Sequence, residues 1–130
     1  MKVTEILKQD KPTISFEVFP PKKDTDFADV EAAATSIAEL NPSYMSVTYG
    51  AGGSTKGLTI KLAEGIQSKY NVPTIAHLTC VCADKTGISQ ALEDMKAAGI
   101  KNILALRGDI PKDYRIQQIR KQILMALEKR

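Results

Sequence analysis

Along the chain, short apolar runs broken by alternating polar residues are separated by longer stretches in which apolar residues return every three or four positions. The first pattern predicts strands and the second amphipathic helices. A short leading helix is expected over residues 4–8, broken by Lys11-Pro12, and a first strand from about Thr13 to the double proline Pro20-Pro21. The first long helix follows, with Asp24 or Asp26 as its cap and Phe27, Val30, Ala34, Ile37, Ala38 and Leu40 at helical spacing until Asn41-Pro42. Residues 44–49 read as the second strand, and Gly50-Ala51-Gly52-Gly53-Ser54-Thr55 turns the chain into a helix carrying Leu58, Leu62, Ala63 and Ile66. After Asn71-Val72-Pro73 come a third strand over 74–81 and a helix from near Thr86 that Gly99 stops. The fourth strand is 102–106. Beyond Arg107-Gly108-Asp109-Ile110-Pro111, a last helix shows Ile116, Ile119, Ile123 and Leu127 as a stripe between basic residues.

Strands joined through helices of this length imply right-handed βαβ units, a parallel sheet, and functional loops at the strands' C-terminal ends. One face of each strand is polar: Ser15 and Glu17, Ser46 and Thr48, His77 and Thr79, then Arg107 and Asp109 just past the fourth. The other face, with Ile14, Phe16, Val18, Met45, Val47, Leu78, Cys80, Leu104 and Leu106, is expected to lie under the helices. An open doubly wound sheet is covered on both faces and reads as near-continuous apolar runs, whereas a barrel interior near its mouth carries polar residues. The expected fold class is therefore α/β, of the (β/α)8 TIM-barrel type, with four βα units present as a half barrel of parallel strands. Residues 1–111 form that half, and 112–130 an amphipathic C-terminal helix. Four strands cannot close a barrel of this class.

Composition narrows the setting. The 130 residues, 43% hydrophobic and 25% charged, suffice for one domain with its own core. A net charge of +3 with 5% aromatic residues and no basic block before the C-terminal segment argues against nucleic-acid binding. No apolar run approaches the ~20 residues of a membrane span, and Met1-Lys2-Val3-Thr4-Glu5 lacks the apolar core of a secretory signal, so a cytoplasmic protein is expected. Cys80 and Cys82, two apart on one strand, are too constrained for an ordinary disulfide and too few for zinc. They are expected as free, buried thiols, and no metal is expected.

Four stretches carry candidate chemistry. Glu17 interrupts an apolar strand: it is either a desolvated carboxyl with a proton to donate or an edge glutamate with its head in water. The glycine-rich turn is neither a dinucleotide fingerprint nor a P-loop. It serves either close approach of a planar ligand to backbone or the capping of a helix by Ser54 or Thr55. His77, the single histidine, has no partner set for a metal and reads as a core residue or as a site residue. Arg107-Gly108-Asp109 is a ligand loop or a solvated charge pair.

Together, Ser15-Phe16-Glu17-Val18-Phe19-Pro20-Pro21-Lys22, Ser46-Val47-Thr48-Tyr49-Gly50-Ala51-Gly52-Gly53-Ser54, His77-Leu78-Thr79-Cys80 and Leu106-Arg107-Gly108-Asp109 resemble the methylenetetrahydrofolate reductase family. The resemblance covers roughly residues 2–111 and fades over 112–130. It implies a (β/α)8 barrel that binds FAD, takes a hydride from NADH or NADPH and reduces 5,10-methylenetetrahydrofolate to 5-methyltetrahydrofolate, in one-carbon and methionine metabolism. By the same resemblance, Glu17 is the general acid that opens the folate's imidazolidine ring, and Asp109 tunes the flavin and meets the pterin. Thr48, Tyr49 and Ala51 then contact the flavin or the stacked nicotinamide, and His77, Arg107 and Gly108 hold FAD. Activity is expected to be impaired in so short a chain, which is expected to form a homo-oligomer. The competing reading is a non-catalytic half barrel that acts as a self-associating module. Glu17, Thr48, His77 and Asp109 are expected to converge at one end of the sheet.

Overall fold

In a computed structural model of the chain, residues 1–50, 55–110, 115 and 118 are described. Four strands, β1 (Ser15–Val18), β2 (Tyr44–Val47), β3 (Thr74–Thr79) and β4 (Asn102–Leu106), form one parallel sheet in the order β1-β2-β3-β4. A leading turn of helix, α1 (Val3–Ile6), precedes them, and α2 (Phe27–Ala38), α3 (Lys56–Tyr70) and α4 (Lys85–Ala97) connect them. Sequential strand order with right-handed crossovers returns every connecting helix to the same face, whereas a doubly wound sheet reverses its order and is covered on both. The sheet is thus singly wound, one wall of a (β/α)8 barrel.

The register fixes which residues meet the helices. Val18, Val47, Ala76 and Ile103 lie in one row across the sheet, with Phe16 and Met45 in the row before it and Leu78 and Ala105 in the row after. Val18, Met45, Val47, Ala76 and Leu78 belong to the buried core, which α2, α3 and α4 complete through Phe27, Ala34, Leu62, Ile66, Ala91 and Met95. Polar ties join the helices above this layer: Lys69 with Glu31 at 2.8 Å, Lys56 with Asp94 at 2.6 Å, and the Tyr70 hydroxyl donating to Thr35 at 3.2 Å.

Helix ends follow local chemistry. Asn71 closes α3 in the left-handed region, φ 55°, its N–H donating to the Gln67 carbonyl, and Gly99 follows α4 at φ 71°. Asp84 caps α4 by accepting from the Gly87 N–H at 2.7 Å. The expected cap of α2 is different: Asp24–Asp26 form a turn of 3-10 helix, and Asp26 makes no side-chain cap hydrogen bond. At the sheet's N-terminal end, the Asn102 side chain accepts from the Val3 N–H at 2.9 Å and donates to the Thr74 carbonyl at 3.3 Å. That anchor seats α1, whose Val3 and Ile6 are buried.

Three expectations need correction or fall outside the description. His77 pairs with Leu104 and Thr79 with Leu106, so both leucines lie on the face opposite the helices, and Ile103 and Ala105 take the helix side. Ile103-Leu104-Ala105-Leu106 is unbroken apolar sequence, so its pattern carries no phase. Cys80 and Cys82 are free but exposed rather than buried, because β3 ends at Thr79 and Cys82 sits in a turn at φ 61°. The expected last helix, with Ile116, Ile119, Ile123 and Leu127, lies outside the described residues.

Candidate active site at the strand ends

On the face opposite the helices, the ladder places Glu17 beside Ser46, and His77 one step further along β3. The Ser46 hydroxyl donates to Glu17 Oε1 at 3.3 Å, and His77 Nε2 stands 3.6 Å from the same oxygen. Burial pulls the His77 imidazole below its ordinary value of 6.5, while the Glu17 charge pulls it up. Burial prevails, so a neutral imidazole faces the carboxylate at neutral pH, too distant for a good hydrogen bond. Glu17 has the inward phase expected of it, but its side chain is 49% exposed while that of His77 is 11% exposed.

The glycine-rich turn begins where β2 ends. Ala51, with Gly52, Gly53 and Ser54, lies outside the described residues, but both ends of the turn are described. The Thr48 N–H donates to the Val18 carbonyl at 3.0 Å, carrying the β1–β2 ladder one residue further. Tyr49 is partly buried against the core, and burial raises its phenol above the usual range, with Lys56 opposing. Thr55, positioned as the N-cap of α3, makes no side-chain cap bond. Its hydroxyl instead accepts from the Gly50 N–H at 2.7 Å, and Thr59 one turn on donates to the Thr48 carbonyl at 2.9 Å. These two buried threonines clamp the mouth of the turn. Threonines four apart just after a glycine run are the sequence signal for them.

At the end of β4, the Arg107 carbonyl accepts from the Val81 N–H at 2.8 Å and the Arg107 side chain is exposed. Gly108 adopts φ 81°, and a Cβ there would stand 2.8 Å from Val81 Cγ1 and 3.0 Å from Thr79 Cβ. Only glycine lets this backbone lie so close to the Val81 and Thr79 side chains. Asp109 lies exposed beyond that turn. The structure thus brings Glu17, Ser46 and His77 into one cluster with Thr48 on the adjacent strand end, and leaves Arg107 and Asp109 on the exposed loop beside it. Leu104 and Leu106, missed as site residues, supply an apolar strip on the same face, 43% and 38% exposed. A cavity of about 660 Å³ lies at the other end of the strands, bordered by Gln9, Lys11, Asn71 and Lys101, and holds none of these groups. Among the described residues, no three His, Cys, Asp or Glu side chains gather as a metal site, and no helix is long and apolar enough to cross a membrane.

Residues 2–128 match the family model described as methylenetetrahydrofolate reductase. That range runs past Pro111, where the motif resemblance stops. The chain is 37% identical over 110 residues to "Methylenetetrahydrofolate reductase (NADH) 1" of Arabidopsis thaliana, covering 85% of this chain and 19% of that protein. It is 43% identical over 98 residues to "Methylenetetrahydrofolate reductase 2" of Schizosaccharomyces pombe, 75% of this chain and 15% of the relative. It is 30% identical over 105 residues to the 5,10-methylenetetrahydrofolate reductase of Pectobacterium carotovorum, 81% of this chain and 35% of the relative. The chain therefore spans between 15% and 35% of the length of these curated relatives.

Proposed function

The chain belongs to the methylenetetrahydrofolate reductase family, and from that premise we propose that it supplies one wall of a flavin-dependent site reducing 5,10-methylenetetrahydrofolate to 5-methyltetrahydrofolate. The observation that carries this reading is the Glu17 carboxylate set beside a neutral His77 on the open face of the strand ends. Two features fit a flavin: the uncharged imidazole, and the apolar strip of Leu104 and Leu106 against which a planar ring can lie. His77, Arg107 and Gly108 would hold FAD, with Thr48, Tyr49 and Ala51 beside the ring or the nicotinamide. FAD, when bound, supplies the hydride carrier between NADH or NADPH and the folate.

Glu17 gives a proton to the folate ring nitrogen that departs when the imidazolidine opens, and Ser46 orients the carboxyl by donating to Oε1. Glu17 is half exposed on the open face, where bound ligands would shield it from water. Asp109, on the neighbouring loop, opposes build-up of negative charge on the cofactor and meets the pterin. The test is Glu17→Gln in a complete enzyme carrying this wall, with the two half-reactions measured separately. Reduction of the flavin by nicotinamide is expected to persist while folate reduction falls about 10²- to 10⁴-fold. Equal loss in both rejects the acid assignment.

A further inference from the structure

Thr79 is the last residue of β3, pairs with Leu106, and shares the face of His77 two residues before it. The residue is 7% exposed, and its Oγ1 is buried without a hydrogen-bond partner, the one such side-chain atom among the described residues. Leaving a buried hydroxyl unpaired costs stability, and valine would fill the same volume in a strand without that cost. A second feature meets it at the same point. Gly108, at φ 81°, brings the loop after β4 so close that a Cβ would stand 3.0 Å from Thr79 Cβ and 3.3 Å from its Cγ2. The orphaned hydroxyl and the glycine-only approach together border the strand ends where His77 and Glu17 face each other.

We propose that Thr79 is a further ligand-binding residue of this site, its hydroxyl unpaired in the free protein and pairing with the flavin when that is bound. A rotation about χ1 exchanges hydroxyl and methyl, so the pairing needs no movement of the strand. The identity of the ligand rests on the flavin reading above. The placement of the hydroxyl does not.

The parent, Thr79→Val and Thr79→Ser are compared by thermal unfolding of the 130-residue chain without ligand and by FAD titration of a complete enzyme carrying this wall, read from flavin fluorescence. Thr79→Val is expected to unfold at the same or a higher temperature than the parent while binding FAD roughly 5- to 30-fold more weakly, the effect of one lost hydrogen bond. Thr79→Ser, which keeps the hydroxyl, is expected to restore the affinity. A clearly lower unfolding temperature for Thr79→Val overturns the proposal, because the hydroxyl then has a protein or water partner in the free chain. Unchanged FAD affinity in Thr79→Val overturns it as well. If the parent itself binds no FAD, the flavin reading fails and the ligand named here fails with it, a result distinct from parental binding that the valine leaves intact.

Discussion

Glu17 and His77 act on each other through a contact that is not a salt bridge at neutral pH. Burial holds the His77 imidazole below 6.5 and the Glu17 charge opposes it. As the only histidine, His77 is directly readable by NMR titration. It is expected to titrate below its ordinary value, and lower still in Glu17→Gln, where the opposing charge is gone. A rise in that variant would contradict the upward pull assigned to the Glu17 charge. Because the folded pKa is depressed, the unfolded chain binds the proton first as pH falls. The stability linked to keeping His77 neutral is therefore complete above about pH 6.5 and is lost as pH falls through the lower folded value. Denaturant unfolding of the parent and of His77→Gln at several pH values between 7.5 and 5 checks the sign, roughly the range of the imidazole change: the parent should lose more stability on acidification. The pair was legible in the sequence because each is a polar residue in an alternating strand. The half-exposed state of Glu17 was not, because exposure depends on what covers the face and strand phase says only which face it is.

The glycine-rich turn shows what is legible at the level of elements. Its position between β2 and α3 was plain from composition, but the two hydroxyls that close it, Thr55 and Thr59, are found only by tracing backbone groups to their partners. The fourth strand makes the complementary case. Its limits, Asn102–Leu106, were read correctly, yet its phase was read one residue out of step because four consecutive apolar residues fit either face. Strands β1, β2 and β3 end one to two residues sooner than expected, at Val18, Val47 and Thr79. From the clamp follows a prediction about the turn. Thr59 is fully buried, so Thr59→Val keeps its volume while removing the donor to the Thr48 carbonyl. A loss of about 1–2 kcal/mol is expected, read as a fall of a few degrees in Tm. Hydrogen exchange at the Gly50 amide, which Thr55 accepts, should speed up as the clamp loosens. An unchanged Tm would assign the Thr48 carbonyl another partner.

At the scale of the molecule, sequential strand order is the feature with the widest consequence: helices on one face, site residues on the other, and two edges. Within the described residues β1 pairs only with β2 and β4 only with β3. Apolar side chains stand open on both sides of this wall. Leu104 and Leu106 lie on the site face, and Ile14, Phe16 and Leu40 border a cavity of about 340 Å³ beside β1, where a neighbouring βα unit of a closed barrel would pack. Unpaired parallel edges and exposed apolar surface both favour association. The 130-residue polypeptide, produced alone, is therefore expected to self-associate. Parallel strands continuing in the same order require unlike edges to meet, β1 of one copy beside β4 of the next, and two copies joined this way make a closed ring of eight strands. Sedimentation over a concentration series reads the outcome directly. Leu104→Glu, which places a carboxylate on the face such a ring would enclose, should shift the population towards monomer, since burying an unpaired charge opposes closure. A parent chain that stays monomeric at high concentration rejects the association. A Leu104→Glu chain that associates as strongly as its parent leaves the edges as the joining surface and rejects the closed ring.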